Sequence, residues 1–420
     1  MRMEQPTNFT PKNVPDPLNH HTTSHLVASD AANDLPRAVY IHVPFCAHRC
    51  GYCNFTLVAG RLDLVEPYLT AVERELTGLD EPRQPQPVDT LFFGGGTPTQ
   101  LAGPQLSRLL EMVRHWHPPA VGYEFSVEAN PADVTRELVA LLARHGVTRV
   151  SLGAQSFQPA KLRMLERDHQ PDDIRRAASL ICESNLQLAL DLIFGVPGET
   201  PDDWQADLDA ALALEPDHIS TYGLTFERGT TFWNRLSHGQ LARADEDLER
   251  SLYLHAIERL TADGFEHYEV SNFARPGRRC RHNEAYWAGE QYSAAGPGAT
   301  SYIAGVRQTN HRSTTTYLKR VLAGQSPVAE REQLAPEDRA RELLVFGLRR
   351  MAGVERAWFA TRSGFTIEAL IGPALRRYVD LGMLKDTGNA VLLTREGLLL
   401  SDAIWPDFLV AKKKGSELFS

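Results

Sequence analysis

Three cysteines within eight residues, Cys46-Ala-His-Arg-Cys50-Gly-Tyr-Cys53, are the side chains best equipped for chemistry. Thiolates hold iron–sulfur clusters, and a four-iron cluster takes one protein ligand per iron. Three local cysteines leave one iron with an open position, as metal chemistry on a bound molecule requires at catalytic zinc. Structural zinc with His42 or His48 as fourth ligand uses the same residues, although closed zinc sites usually pair a CxxC with a second, distant pair. The chain has five cysteines in all, an odd number for a disulfide framework, and the spacing points to metal in a reducing compartment. Cys182 falls in the apolar pattern of a helix with Ala177, Leu180 and Ile181, which predicts a core position. Cys280 reads either as a small apolar residue or as a thiolate donor.

The cysteines follow the first of a series of short β-rich runs: Val39–Val43, Thr90–Phe93, Tyr123–Val127, Arg149–Leu152, Leu188–Phe194 and Ile219–Leu224. Between them, Leu64–Leu79, Pro104–Trp116, Val134–His145, Asp172–Ser184 and Asp202–Leu214 show apolar spacings of three and four, as helices do. Six strand–helix repeats predict a parallel sheet with right-handed crossovers. The runs read as apolar throughout, as strands covered on both faces do. An eight-unit barrel or a doubly wound sheet fits the rhythm equally. Polar residues and glycines gather just after the strands: Gly94-Gly95-Gly96-Thr97 after the second, Glu128 and Asn130 after the third, Gln155 after the fourth. Asp191 lies near the end of the fifth. The C-terminal rim of a barrel is where sites are built, and glycines there let backbone amides approach a charged ligand.

Tyr40-Ile-His42-Val-Pro44-Phe45-Cys46, continued as CxxxCxxC, resembles the radical S-adenosylmethionine (SAM) proteins of the oxygen-independent coproporphyrinogen III oxidase family, from about Ala38 to the C-terminal region. The resemblance implies an α/β fold, a partial (β/α)6 barrel with an extension and a small C-terminal winged-helix-like domain. It implies a [4Fe–4S] cluster on Cys46, Cys50 and Cys53 whose open iron chelates the amino and carboxylate groups of SAM; reduction of the cluster can then cleave SAM to a deoxyadenosyl radical. By the same resemblance Gly95, Gly96 and Thr97 form the loop for the SAM amino group, and Tyr40, Glu128, Gln155, Arg167 and Asp191 are further SAM contacts.

The oxidases of that family resemble CxxxCxxCxC, and the position of the last cysteine is Phe55 here. Arg281-His282-Asn283-Glu284-Ala285-Tyr286-Trp287 contains HNxxYW, which resembles a signature of the family's haem chaperone branch, as do Tyr268–Gly277 and Gly296-Pro297-Gly298-Ala299. An imidazole ligates haem iron and aromatic rings flank a macrocycle, so this resemblance implies haem at His282, Tyr286 and Trp287. Packing of that loop onto the barrel is the other reading of the same residues. The branch implies a haem chaperone serving apo-haemoproteins, respiratory ones at the membrane among them, with an electron donor and a homodimer. Cluster and SAM would govern assembly or transfer. The alternative is a radical oxidase that decarboxylates coproporphyrinogen III to protoporphyrinogen IX.

A chain of 420 residues, 42% of them hydrophobic, has room for two to three cores. The expected divisions are a polar tail over 1–36 carrying His20, His21 and His25, the barrel over 37–225, the extension over 226–334, the C-terminal domain over 335–410 and a tail over 411–420 containing Lys412–Lys414. A net charge of −9 lacks the general basic footprint of nucleic-acid binding. Arg349, Arg350, Arg376 and Arg377 give the C-terminal region some positive charge, but the acidic total favours a lid or docking role over DNA. No apolar run approaches the ~20 residues of a membrane span, and no apolar segment near the N-terminus reads as a secretory signal. A cytoplasmic protein, peripheral at the membrane, is expected.

Overall fold

The computed structural model describes residues 35–79 and 84–409. The expectations for His20, His21, His25 and Lys412–Lys414 lie outside those residues. All six predicted β-runs are strands: β1 (Ala38–Val43), then, after the two-residue strands β2 (Phe45–Cys46) and β3 (Val58–Ala59), β4 (Val88–Gly95), β5 (Pro119–Ala129), β6 (Arg149–Gln155), β7 (Gln187–Phe194) and β8 (His218–Gly223). They lie side by side in parallel in the order β1-β4-β5-β6-β7-β8. The crossover helices are α1 (Val65–Thr77), α2 (Gly103–Trp116), α3 (Arg136–Arg144), the short α4 (Pro159–Met164) with α5 (Pro171–Glu183), and α6 (Pro201–Leu212). Their starts are specified locally. Thr135 and Thr200 cap α3 and α6 by accepting from Leu138 N and Asp203 N, and Pro201 sits at the head of α6.

The strands are not apolar throughout, which corrects the sequence expectation. Leu91, Phe93, Phe125, Val127, Val150 and Leu152 join the hydrophobic core. The residues between them, Thr90, Phe92, Glu124, Ser126, Glu128 and Ser151, take the other face, as the two-residue period of a strand requires. One face is thus greasy and helix-covered, and the other is a polar barrel interior. On α5, Ile174, Ala177, Ala178 and Ile181 are buried while Cys182 is exposed. This overturns its expected core position: Cys182 stands one residue, a turn of about 100°, from the buried stripe.

The arrangement is a partial (β/α)6 barrel, and the sheet continues past both edges. After α7 (Thr231–Ser237) and α8 (Glu246–Ala262) come β9 (Glu266–Glu269) and β10 (Asn272–Ala274), which add antiparallel strands beside β8. After α9 (Arg281–Trp287), β11 (Tyr292–Ala295) adds a parallel strand to the other side of β1. β12 (Thr300–Ile303), β13 (Val306–Asn310) and β14 (Val328–Gln333) follow antiparallel, with α10 (Thr314–Leu322) between the last two. The sheet has twelve strands and stays open. Ala295, Tyr317 and Val321 belong to the same hydrophobic cluster as the barrel core, so the extension shares that core.

A second cluster begins at Ala340. It joins α11 (Pro336–Leu348), α12 (Arg356–Ser363), α13 (Ile367–Asp380) and α15 (Ser401–Leu409) to a three-stranded sheet in the order β15-β17-β16 (Val354–Glu355, Ala390–Leu393, Leu384–Asp386), while α14 (Arg395–Leu399) turns Leu398 into the barrel's cluster. α13 consists of two helical halves, kinked at Ile371 ahead of Pro373. No helix among the described residues is long and apolar enough to cross a membrane.

Candidate functional site

The cysteine loop leaves β1 at the C-terminal rim. Cys53 N donates to Cys50 O, 3.1 Å. The Arg49 guanidinium donates to the carbonyls of Cys53, Phe55 and Leu57 at 3.2, 3.3 and 2.9 Å. From inside, His42 Nε2 donates to Thr56 O at 2.6 Å, which leaves Nδ1 to accept from the Tyr40 hydroxyl at 3.0 Å. Burial lowers His42 to about 4, so the ring stays neutral in this relay. Cys46 Sγ lies 3.3 Å from Thr97 Oγ1, and Cys50 Sγ 3.5 Å from Arg167 Nη1 and 3.7 Å from His48 Nε2. Desolvation raises the Cys46 thiol to about 11 and pushes Cys53 up as well. Thiolates become stable in such a place when a cation replaces the protons. Among the described residues, no three His, Cys, Asp or Glu side chains close on a single-ion site.

Behind the loop, charges of both signs face the barrel interior. Arg167 donates Nη2 to Gly153 O at 3.0 Å, while its Nε is buried without a partner among the described residues. Glu128 stands near the end of β5 and Asp191 in the middle of β7. Desolvation first, and repulsion from Asp191 second, raise Glu128 to about 8. Desolvation raises Asp191 to about 6 against hydrogen bonds from Ser220 and Ser151, the latter at 3.1 Å. A guanidinium and two carboxylates that resist ionisation suit a ligand bearing both an anionic and a cationic group. Gln155 ends β6 in the left-handed region at φ 62°, a strained backbone for a residue with a Cβ.

The glycine loop packs closely on its neighbours. Its amides are taken internally: Gly95 N donates to Glu128 Oε2 (3.0 Å), Gly96 N to Val43 O (2.8 Å) and Thr97 N to Phe45 O (2.7 Å). Gly95 has φ 105°, and a Cβ there would lie 2.2 Å from the His42 ring. The glycines therefore let β4 close tightly on β1 and Glu128. Sequence reasoning passed over Ser126, Ser151, Ser220 and Tyr222, and weighed His42 only as a zinc ligand. The signal was available as every second residue of each strand. It also missed Arg49 and Arg312; Arg312 donates to Asn54 O at 2.9 Å.

The HNxxYW residues lie at the opposite end of the barrel. Glu124, paired in register with Thr90 of β4, accepts from Arg281 N (3.1 Å) and His282 N (3.2 Å), and so anchors α9 by its N-terminus. His282 is buried, stacked on Phe92 with centroids 5.2 Å apart. Its Nδ1 is paired with Thr90 Oγ1 and its Nε2 with Tyr286 Oη, both at 2.9 Å. Burial lowers it to about 3. Trp287 packs edge-on to Phe346 of α11, with the Arg349 guanidinium 4.7 Å from its ring centre. Cys280 is buried 3.5 Å from Glu124 Oε1, its thiol pushed far up by desolvation. Here α9 plugs the barrel floor, and both ring nitrogens of His282 are already engaged.

An open six-unit barrel with a CxxxCxxC loop at its rim defines a radical SAM protein, and the sequence profile of the Radical SAM superfamily matches residues 40–211. The profile of the HemN C-terminal domain matches 334–400. The fold is similar to that of coproporphyrinogen III oxidase (HemN) from Escherichia coli, a radical SAM enzyme, with a TM-score of 0.78, 22% identity and cover of 89% of this chain and 90% of that one. The sequence is 33% identical to the haem chaperone HemW of Bacillus subtilis over 375 residues, 89% of this chain and 99% of that one. It is 40% identical to the HemW of Mycobacterium tuberculosis over 88% of this chain and 94% of that one. The chain belongs to the HemW family of the radical SAM superfamily.

Proposed function

We propose that the protein is a haem chaperone that carries a [4Fe–4S] cluster on Cys46, Cys50 and Cys53, binds SAM beside it, and passes haem to apo-haemoproteins. The observation that carries the cofactor reading is the charge pattern of the rim. SAM bears a carboxylate, an ammonium and a sulfonium. The site offers Arg167 with an Nε that has no partner among the described residues, Asp191 within reach of the Arg167 charge, and Glu128 facing Asp191 with its proton held by burial. Arg167 also offsets the negative charge that three thiolates bring to Cys50's side of the cluster. When bound, the cluster supplies an open iron for SAM and an electron from an external donor. The chain's own residues orient the ligands. Thr97 and Arg167 hold the sulfurs, Gly95 fixes Glu128, and Ser151 and Ser220 fix Asp191.

Two things support chaperoning over oxidation. Phe55 stands where the oxidases carry a further cysteine, and it is 56% exposed. Relatives that align over nearly their whole length are named haem chaperones. Haem is proposed to engage the α9 region, with His282, Tyr286 and Trp287 as contacts once the plug loosens. Recipients at the respiratory membrane, a homodimeric state and a cytoplasmic location complete the reading. Anaerobic reconstitution with iron, sulfide and SAM tests it. The expected result is a [4Fe–4S] absorbance and EPR signal that changes on adding SAM, with haem retained through gel filtration and no carbon dioxide from coproporphyrinogen III. Sustained decarboxylation would make it an oxidase instead.

A further inference from the structure

We propose that Glu75 is a positioning residue for the cluster loop, acting on it through the extension. This rests on the reading of Cys46, Cys50 and Cys53 as cluster ligands. Glu75 lies near the end of α1 and is 8% exposed. Three donors converge on its carboxylate, and all three come from the extension: Gly296 N at 2.9 Å, Asn310 Nδ2 at 2.6 Å and the Tyr317 hydroxyl at 2.6 Å. A carboxylate so deep persists because its lone pairs are satisfied. In sequence the donors are far apart, on the loop after β11, the end of β13 and α10. Asn310 Nδ2 also donates to Gly296 O at 2.9 Å, and Gly298 N donates to His311 O at 3.0 Å. The carboxylate therefore ties the Gly296-Pro297-Gly298 turn to the segment that carries Arg312.

What that assembly presses on is the peptide just beyond the third cysteine. A Cβ at Gly296 would stand 2.4 Å from His42 O, and one at Gly298 2.6 Å from Thr56 Oγ1. Arg312 donates to Asn54 O at 2.9 Å and to Thr56 Oγ1 at 3.3 Å. From the barrel side, His42 donates to Thr56 O. Residues 54–56 are gripped between β1 and the extension, and Glu75 anchors the outer jaw. No donor of that jaw lies within the cysteine motif, so the motif alone does not fix its own geometry.

The test uses the anaerobically reconstituted full chain. Iron and sulfide content, the EPR spectrum of the reduced cluster with and without SAM, and the rate of iron loss to a ferrous chelator are measured. Wild type is compared with Glu75→Gln, Arg312→Ala and Tyr378→Phe; the last removes a hydrogen bond to Asp407 within the C-terminal domain. Glu75→Gln and Arg312→Ala are expected to lose iron about fivefold faster, the scale of one lost hydrogen bond, with a broadened SAM-dependent EPR signal. Tyr378→Phe is expected to match wild type in both. Arg312 is exposed, so its variant keeps the fold even if Glu75→Gln does not. Wild-type iron loss and EPR in Arg312→Ala, or in a folded Glu75→Gln, would overturn the positioning role and leave the cluster reading standing. A wild-type chain that loads no iron and sulfide would overturn the cluster reading itself, and this role with it.

Discussion

At the scale of single residues, the rim holds two carboxylates whose protons are hard to remove. Glu128 is raised to about 8 and Asp191 to about 6, both by desolvation, so the folded state binds more protons than the unfolded one as pH climbs from their ordinary values. The linkage then lowers stability with rising pH, from about 4 up through 8. The ligand-free protein is expected to melt at progressively lower temperature between pH 5 and pH 8, and Glu128→Gln is expected to flatten that slope; an unchanged slope in the variant would refute the assignment. A cationic ligand reverses the preference. SAM affinity should therefore strengthen between about pH 6 and pH 8 with uptake of protons by the buffer, which calorimetry in buffers of differing ionisation heat reads directly. Arg167→Met is expected to weaken SAM binding at least about tenfold, as loss of a charged hydrogen bond does, with a shifted cluster absorbance. Cysteine spacing and family resemblance made Glu128, Arg167 and Asp191 legible. Arg312 was not, because it reaches Asn54 across 258 positions of sequence and nothing local marks it.

At the scale of elements, the loops after β6 and β7 are joined by Lys161 of α4. Its ammonium contacts Glu199 and, at 3.0 Å, Asp207, and all three side chains are buried. Asp207 accepts from Ser156 Oγ and Phe157 N, directly after the strained Gln155. Removing one partner of a buried ion group costs about 3–5 kcal/mol because the others stay charged. Lys161→Met should lose stability on that scale in denaturant titrations; a change under about 1 kcal/mol would show the network to be solvated. For α9, His282→Gln keeps a ring-sized polar group beside Thr90 and Tyr286. If His282 ligates haem, the variant retains clearly less haem while melting within a few degrees of wild type. Equal retention would place the ligand elsewhere. The strand–helix rhythm was readable because propensity, caps and period agree in each unit. The place of α9 was not, because HNxxYW carries no sign of which end of the barrel it closes.

At the scale of the whole molecule, the barrel and the C-terminal region touch where Trp287 packs on Phe346 and where the backbones of Glu269 and Arg350 form an antiparallel β-bridge. Beyond residue 335 most apolar side chains join the second cluster, yet Leu398 packs with the barrel, and Leu224, Phe226 and Phe232 share one apolar cluster with Ile193. Composition marks tails and linkers, but it is silent about a sheet that runs on past six strands. The last consequence lies in β4 itself. Thr90 holds His282 at the floor, and Gly95 holds Glu128 at the rim. Five steps along one strand separate their Cα atoms, about 17 Å at the ~3.3 Å rise of a parallel strand. A guest entering from below and a guest entering from above would never meet. They would rest on the two ends of the same strand.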